Sequence, residues 1–101
     1  MTKNLFTLEG KTVAVIGAGS GIGQACAIGA ADQGALVWCL DINADQADAT
    51  AKMIKTAGGT AECGVVDITN ESSVHDAIAD AAATNKRLDG VVCTPAINVR
   101  K

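Results

Sequence analysis

Apolar runs and polar, glycine-marked stretches alternate along this chain with a regular beat. Residues 11–16 form a short β-rich apolar run. Residues 22–33 carry small or apolar side chains at 22, 25, 26 and 29, a helical spacing with an unusually slim face. Gly34 stands where that helix should stop, and residues 35–40 form a continuous apolar strand that ends in Asp41. Asn43 with Gln46 resembles a capping box, opening a helix that turns Ala47, Ala51 and Ile54 inward until Gly58-Gly59 closes it. Residues 60–66 read as a third strand, followed by Asp67-Ile68-Thr69-Asn70-Glu71-Ser72. Thr69 or Asn70 caps the next helix, Glu71 favours its positive end, and Val74, Ala77, Ile78, Ala81 and Ala82 form its buried stripe. Residues 88–93 give a fourth strand, and residues 94–101 a tail holding the only proline.

Strands alternating with helices of this length require right-handed crossovers and a parallel sheet. The expected fold class is α/β, a Rossmann-like doubly wound sheet with strand order 3-2-1-4 and three helices, two on one face and one on the other. No linker or low-complexity stretch divides the 101 residues, so residues 1–101 read as one small domain.

The stretch Val15-Ile16-Gly17-Ala18-Gly19-Ser20-Gly21-Ile22-Gly23 lies between the first strand and the first helix. The spacing G-x-G-x-x-G fails, because its third glycine would fall on Ile22, whereas G-x-x-x-G-x-G fits on Gly17, Gly21 and Gly23. No Gly-Lys-Ser/Thr follows, which excludes a nucleoside-triphosphate P-loop. The first glycine permits a sharp exit from the strand. The second lets the chain approach a ligand without a Cβ, and the third lets helix and strand pack closely. Amides at the helix start, with the helix dipole, then favour a pyrophosphate.

Asp41 follows Gly23 by 18 residues and ends the second strand beside the loop. A carboxylate there can accept both hydroxyls of an adenosine ribose and would repel a 2′-phosphate, favouring NAD over NADP. The plainer alternative is a solvated acid at a strand end. Asp67 ends the third strand on the same rim, where it could meet the adenine amino group or act as an anion near a helix N-terminus.

With these pieces the chain resembles the short-chain dehydrogenase/reductase family. The matching segments are Gly17-Ala18-Gly19-Ser20-Gly21-Ile22-Gly23, Asp41, Asp67-Ile68-Thr69 and Leu88-Asp89-Gly90-Val91-Val92, spread over the chain from Thr7 onward. The resemblance implies that Gly17, Ser20, Gly21, Ile22 and Gly23 hold the pyrophosphate region, that Asp41 takes the adenosine ribose, and that Asp67 and the Ile68 amide recognise adenine. Two departures stand out. Ile16 replaces the family's usual Thr before the first glycine, and Cys93-Thr94-Pro95-Ala96 replaces its Asn-Asn-Ala-Gly. That segment lines the cofactor ribose in the family, which makes Thr94, Pro95 and Ala96 further candidate contacts. The family's chemistry rests on a Ser and a Tyr-x-x-x-Lys pair carried after the fourth strand, the phenol serving as acid/base. This chain has no tyrosine, so no residue in it is assigned a catalytic role. The expectation is an NAD-binding, truncated N-terminal half of an oxidoreductase acting on an alcohol or carbonyl. The alternative is a non-catalytic module for an adenine dinucleotide or for oligomerisation.

Composition narrows the partners. A net charge of −3 argues against nucleic acid or an acidic membrane surface as a partner. No apolar run approaches the roughly 20 residues of a membrane span, and the start lacks a secretion signal's apolar core, so a cytoplasmic home is expected. Cys26, Cys39, Cys63 and Cys93 lie far apart with no C-x-x-C pair and read as reduced interior residues rather than metal ligands or disulfides. His75 falls opposite the apolar stripe of its helix and reads as solvated. A fourth strand with nothing paired to its outer edge, and a sheet face covered by one helix, predict self-association of the chain.

Overall fold

The computed structural model describes residues 7–19, 21–85 and 87–93. The described elements run β1 (Thr12–Ile16), α1 (Gly21–Asp32), β2 (Leu36–Asp41), α2 (Ala44–Thr56), β3 (Thr60–Val65), α3 (Glu71–Asn85) and β4 (Gly90–Cys93). The four described strands form one parallel sheet in the order β3-β2-β1-β4, the arrangement expected from the alternating pattern.

Register decides which side chains meet. Val13, Val15, Val37, Cys39 and Ala61 point to one face, where Ala27 of α1 and Ala51 and Ile54 of α2 complete a core. Ala14, Ile16, Leu40 and Val66 point to the other face, against Val74, Ala77 and Ile78 of α3. Two helices on one side and one on the other is the doubly wound plan, and it leaves the first strand buried along its whole length. Asp89 ties the starts of β1 and β4 together. Its Oδ2 accepts from the Thr12 amide at 2.7 Å, and Arg87 forks onto both carboxylate oxygens at 2.8 and 2.6 Å. The Arg87 guanidinium holds the Asp89 carboxyl below its ordinary range.

The helix ends follow their local chemistry. Gly34 and Gly58 take φ of +102° and +94°, and the Gly59 amide reaches back to the Ile54 carbonyl at 2.8 Å, so α2 closes where the glycine pair predicts. Asn43 caps α2 by accepting from the Gln46 amide at 3.0 Å, and Asn70 rather than Thr69 caps α3, accepting from Ser73 at 3.1 Å.

Three expectations need correction. The buried face of α1 is Gly23 and Ala27, with Cys26, Ala30 and Ala31 packed beside it, whereas Ile22, Ala25 and Gly29 are exposed. A helix of alanine and glycine has little amphipathic contrast, so spacing alone cannot set its rotation. The cysteines are not uniformly interior: Cys39 is buried and Cys26 half-buried, but Cys63 and Cys93 are exposed, because each lies on a strand at a sheet edge. Finally, β3 stops at Val65, so Asp67 lies in the turn beyond the strand rather than at its last position.

Candidate functional site

The carboxyl ends of β1, β2 and β3 form a rim, and the glycine loop crosses it. Gly17 leaves β1 with φ of +89°, a conformation that L side chains rarely adopt, so the chain turns sharply there. The next amides fold back onto β2: Gly17 and Ala18 both donate to the Leu40 carbonyl, at 2.7 and 3.0 Å. The Gly19 amide donates to Asp41 Oδ2 at 2.8 Å. These three amides are therefore spent on the protein. Helix geometry leaves the first-turn amides of Gly21, Ile22 and Gly23 without an acceptor inside α1. Gly21 sits at φ +59°, and apart from its chain neighbours and its own helix backbone nothing lies within 4 Å of where its Cβ would be, so the space ahead of it is open. Gly23 is buried.

Asp41 faces the loop and is held from two sides. Oδ2 takes the Gly19 amide, and Oδ1 takes the Asn43 amide at 3.0 Å. The second bond explains why the capping box is only half made. A full box would use the Gln46 side chain to accept from Asn43, and Asp41 accepts that proton instead. Each carboxylate oxygen retains a second lone pair for another donor.

Asp67 shares the rim but is closed on its own turn. Its Oδ1 accepts from the Thr69 hydroxyl at 2.6 Å and the Thr69 amide at 2.9 Å, and its own amide donates to Ser73 Oγ at 3.0 Å. The Thr69 hydroxyl, then its amide, hold the Asp67 carboxyl below the usual carboxylate range. Ile68 is half-buried and packs on the α3 side of the sheet, beside Val66. The structure thus brings Gly17, Gly21, Ile22, Gly23, Asp41, Asp67 and Ile68 to one rim. Ser20, Thr94, Pro95 and Ala96 lie outside the described residues.

Sequence reasoning assigned no role to three positions that build this site. Thr50 is fully buried in α2, donates to the Ala18 carbonyl at 2.9 Å and accepts from Gln24 at 3.1 Å, joining loop, α1 and α2. Gly19 is buried against Asp41 and Gln46. Ile42 follows Asp41 and is 66% exposed; with Ile22 at 74% and Val65 at 57% it puts three large apolar side chains in water at the rim. The Thr50 and Gly19 contacts join residues far apart in sequence, so no local pattern announces them. Ile42, a lone apolar residue after a strand-end acid, was the one visible signal. A separate cleft lined by Ile28, Ile54 and Gly59 lies at the far ends of α1 and α2, away from the rim.

The family model of short chain dehydrogenases matches residues 11–101. The chain belongs to the short-chain dehydrogenase/reductase family of oxidoreductases. It is 45% identical over 80 residues to the uncharacterized oxidoreductase YxbG of Bacillus subtilis (strain 168), covering 76% of this chain and 29% of that protein. The hydroxysteroid dehydrogenase crystal structure from Escherichia coli superposes with a TM-score of 0.83 at 37% identity, over 86% of this chain and 37% of that one. A 7α-hydroxysteroid dehydrogenase complexed with NADH and 7-oxo glycochenodeoxycholic acid superposes with a TM-score of 0.81 at 36% identity, over 84% of this chain and 33% of that one. The chain spans about a third of the length of the relatives it matches. Among the described residues no group of three or more metal-ligating side chains occurs, and no helix is long and apolar enough to cross a membrane.

Proposed function

We propose that this chain binds the adenosine and diphosphate half of NAD, as the cofactor-binding part of an oxidoreductase that acts on an alcohol or carbonyl. The observation that carries the reading is the Asp41 carboxylate, turned toward the glycine loop and fastened to it through Gly19. In this reading the first-turn amides of Gly21, Ile22 and Gly23, with Ser20, receive the diphosphate. Gly17 sets the turn that presents them.

The free lone pairs of Asp41 accept the 2′- and 3′-hydroxyls of the adenosine ribose. A 2′-phosphate would bring a second anion against that carboxylate, so NAD is preferred over NADP. Exposed Ile22, Ile42 and Val65 supply apolar surface for the nucleoside. Asp67 and the Ile68 amide meet the adenine edge, and Thr94, Pro95 and Ala96 line the far ribose. The similarity to a dehydrogenase complexed with NADH supports the same assignment. The nicotinamide supplies hydride acceptance when bound. What this chain's own residues do is bind and orient the adenosine end, and no acid/base group for the hydride step is assigned among them.

The test is a fluorescence titration with NADH, competed by ADP-ribose. Saturable binding that ADP-ribose displaces supports the reading; binding that ADP-ribose leaves untouched, or no binding at all, contradicts it.

A second role rests on β4. This strand pairs with β1 and, among the described residues, lies at a sheet edge, with Val91 48% exposed on the α3 side. That edge and face suit association with a second copy of this chain. Sedimentation at tens of micromolar should show a species larger than the monomer; a strict monomer removes this role. A cytoplasmic location fits the same reading of an NAD-dependent enzyme.

A further inference from the structure

Two constraints converge on Gly19. Its amide donates to Asp41 Oδ2 at 2.8 Å. The place a Cβ would take lies 2.7 Å from that same oxygen, 3.1 Å from the carboxylate carbon and 2.6 Å from Gln46 Cβ. Carbon atoms do not approach this closely, so something must yield to any side chain at position 19. Gln46 Cβ is fixed to the backbone of α2. The loop cannot retreat easily either, because buried Thr50 holds the carbonyl of Ala18, the preceding residue. The half-exposed Asp41 carboxylate can turn out of two of these contacts, but the one with Gln46 Cβ is relieved only by a shift of the loop against the start of α2, which strains the Gly19–Asp41 hydrogen bond as well.

We propose that Gly19 is a positioning residue for nucleotide specificity: its amide aims the Asp41 carboxylate at the ribose, and its missing Cβ is the space that carboxylate needs. The proposal rests on the assignment of Asp41 to the ribose hydroxyls and adds a cause for its orientation. With a side chain at 19 the carboxylate swings off the ribose. It then accepts the hydroxyls poorly and stands farther from the site of a 2′-phosphate. Affinity for ADP-ribose falls, while affinity for 2′-phospho-ADP-ribose falls less or rises. Discrimination at this position thus belongs to the Gly19–Asp41 pair and not to the acid alone.

The experiment is calorimetric titration of ADP-ribose and 2′-phospho-ADP-ribose into the full chain, as wild type, Gly19→Ala, Asp41→Ala and the double variant. Thermal melts accompany each titration. The expected result is a preference ratio lowered about tenfold by Gly19→Ala, with the double variant showing little further loss. A ratio unchanged from wild type in Gly19→Ala overturns the proposal, even where both affinities drop together, since general loosening of the loop moves both ligands alike. If wild type binds neither ligand, the dinucleotide reading fails, and the melts judge the contact itself. Destabilisation by the double variant that is clearly smaller than the sum of the singles upholds it, and simple addition overturns it.

Discussion

The β2–α2 and β3–α3 turns carry the same parts and use them differently. Each places an aspartate at or just past the end of its strand (Asp41 is the last residue of β2, Asp67 lies beyond β3), then an asparagine that caps the following helix, Asn43 and Asn70. Asp41 spends one oxygen on its own turn and the other on the glycine loop, 22 residues away in sequence. Asp67 spends Oδ1 twice on Thr69, two residues away. One carboxylate is aimed by tertiary structure and the other by its immediate neighbours. A shift of the glycine loop must therefore be felt at Asp41, whereas Asp67 is insulated from it. The packing differs in the same direction: α2 closes a core with Ala47, Thr50, Ala51 and Ile54 all buried, while α3 buries Ala81 and leaves Val74, Ala77 and Ile78 half-buried.

The largest expected effect lies at Thr50, where α2, the loop and α1 are bolted together. Thr50→Val keeps the shape but leaves the fully buried Ala18 carbonyl and the Gln24 amide without their shared partner. Urea unfolding should show a loss of about 2 kcal/mol. An unchanged midpoint would mean that the loop is not anchored from α2. Next comes a direct contrast of the two acids. Asp41→Asn should weaken ADP-ribose binding about tenfold and Asp67→Asn by less than about threefold, each read by calorimetry; equal losses would erase the distinction drawn between the turns.

The smallest effect is electrostatic and local. The Thr69 hydroxyl lowers the Asp67 carboxyl below its ordinary value of 3.8. A depressed carboxylate contributes stability that is present above the unfolded value and is lost as pH falls through the folded one. Thr69→Val should therefore raise the Asp67 titration midpoint, followed by carboxyl-carbon NMR, with its consequences confined to acid pH. A midpoint that does not move would show that the turn does not hold the acid.

Most of the fold could be read from the chain because its signals are local. Apolar runs bounded by Gly34, Gly58 and Gly59 set the strands and helix ends, and alternation of strand and helix left one economical sheet order. The rotation of α1 could not be read, since alanines and glycines look alike from every side. Of the rim, the loop and Asp41 were visible as a motif, but what fastens them was not. Thr50 to Ala18 and Gly19 to Asp41 are contacts across 32 and 22 residues, the first created only when α2 folds back over the loop and the second only when β2 pairs with β1. Ile42 shows the same limit from the other side: an exposed isoleucine has meaning only once it is seen beside Ile22 and Val65.

The most direct test is an amide NMR titration of the chain with ADP-ribose. The moving resonances should cluster at 17–23, 41–43 and 67–68, with those of β4 and the far ends of α1 and α2 still. Shifts centred instead on the cleft around Ile28, Ile54 and Gly59, or none at saturating ligand, would contradict it.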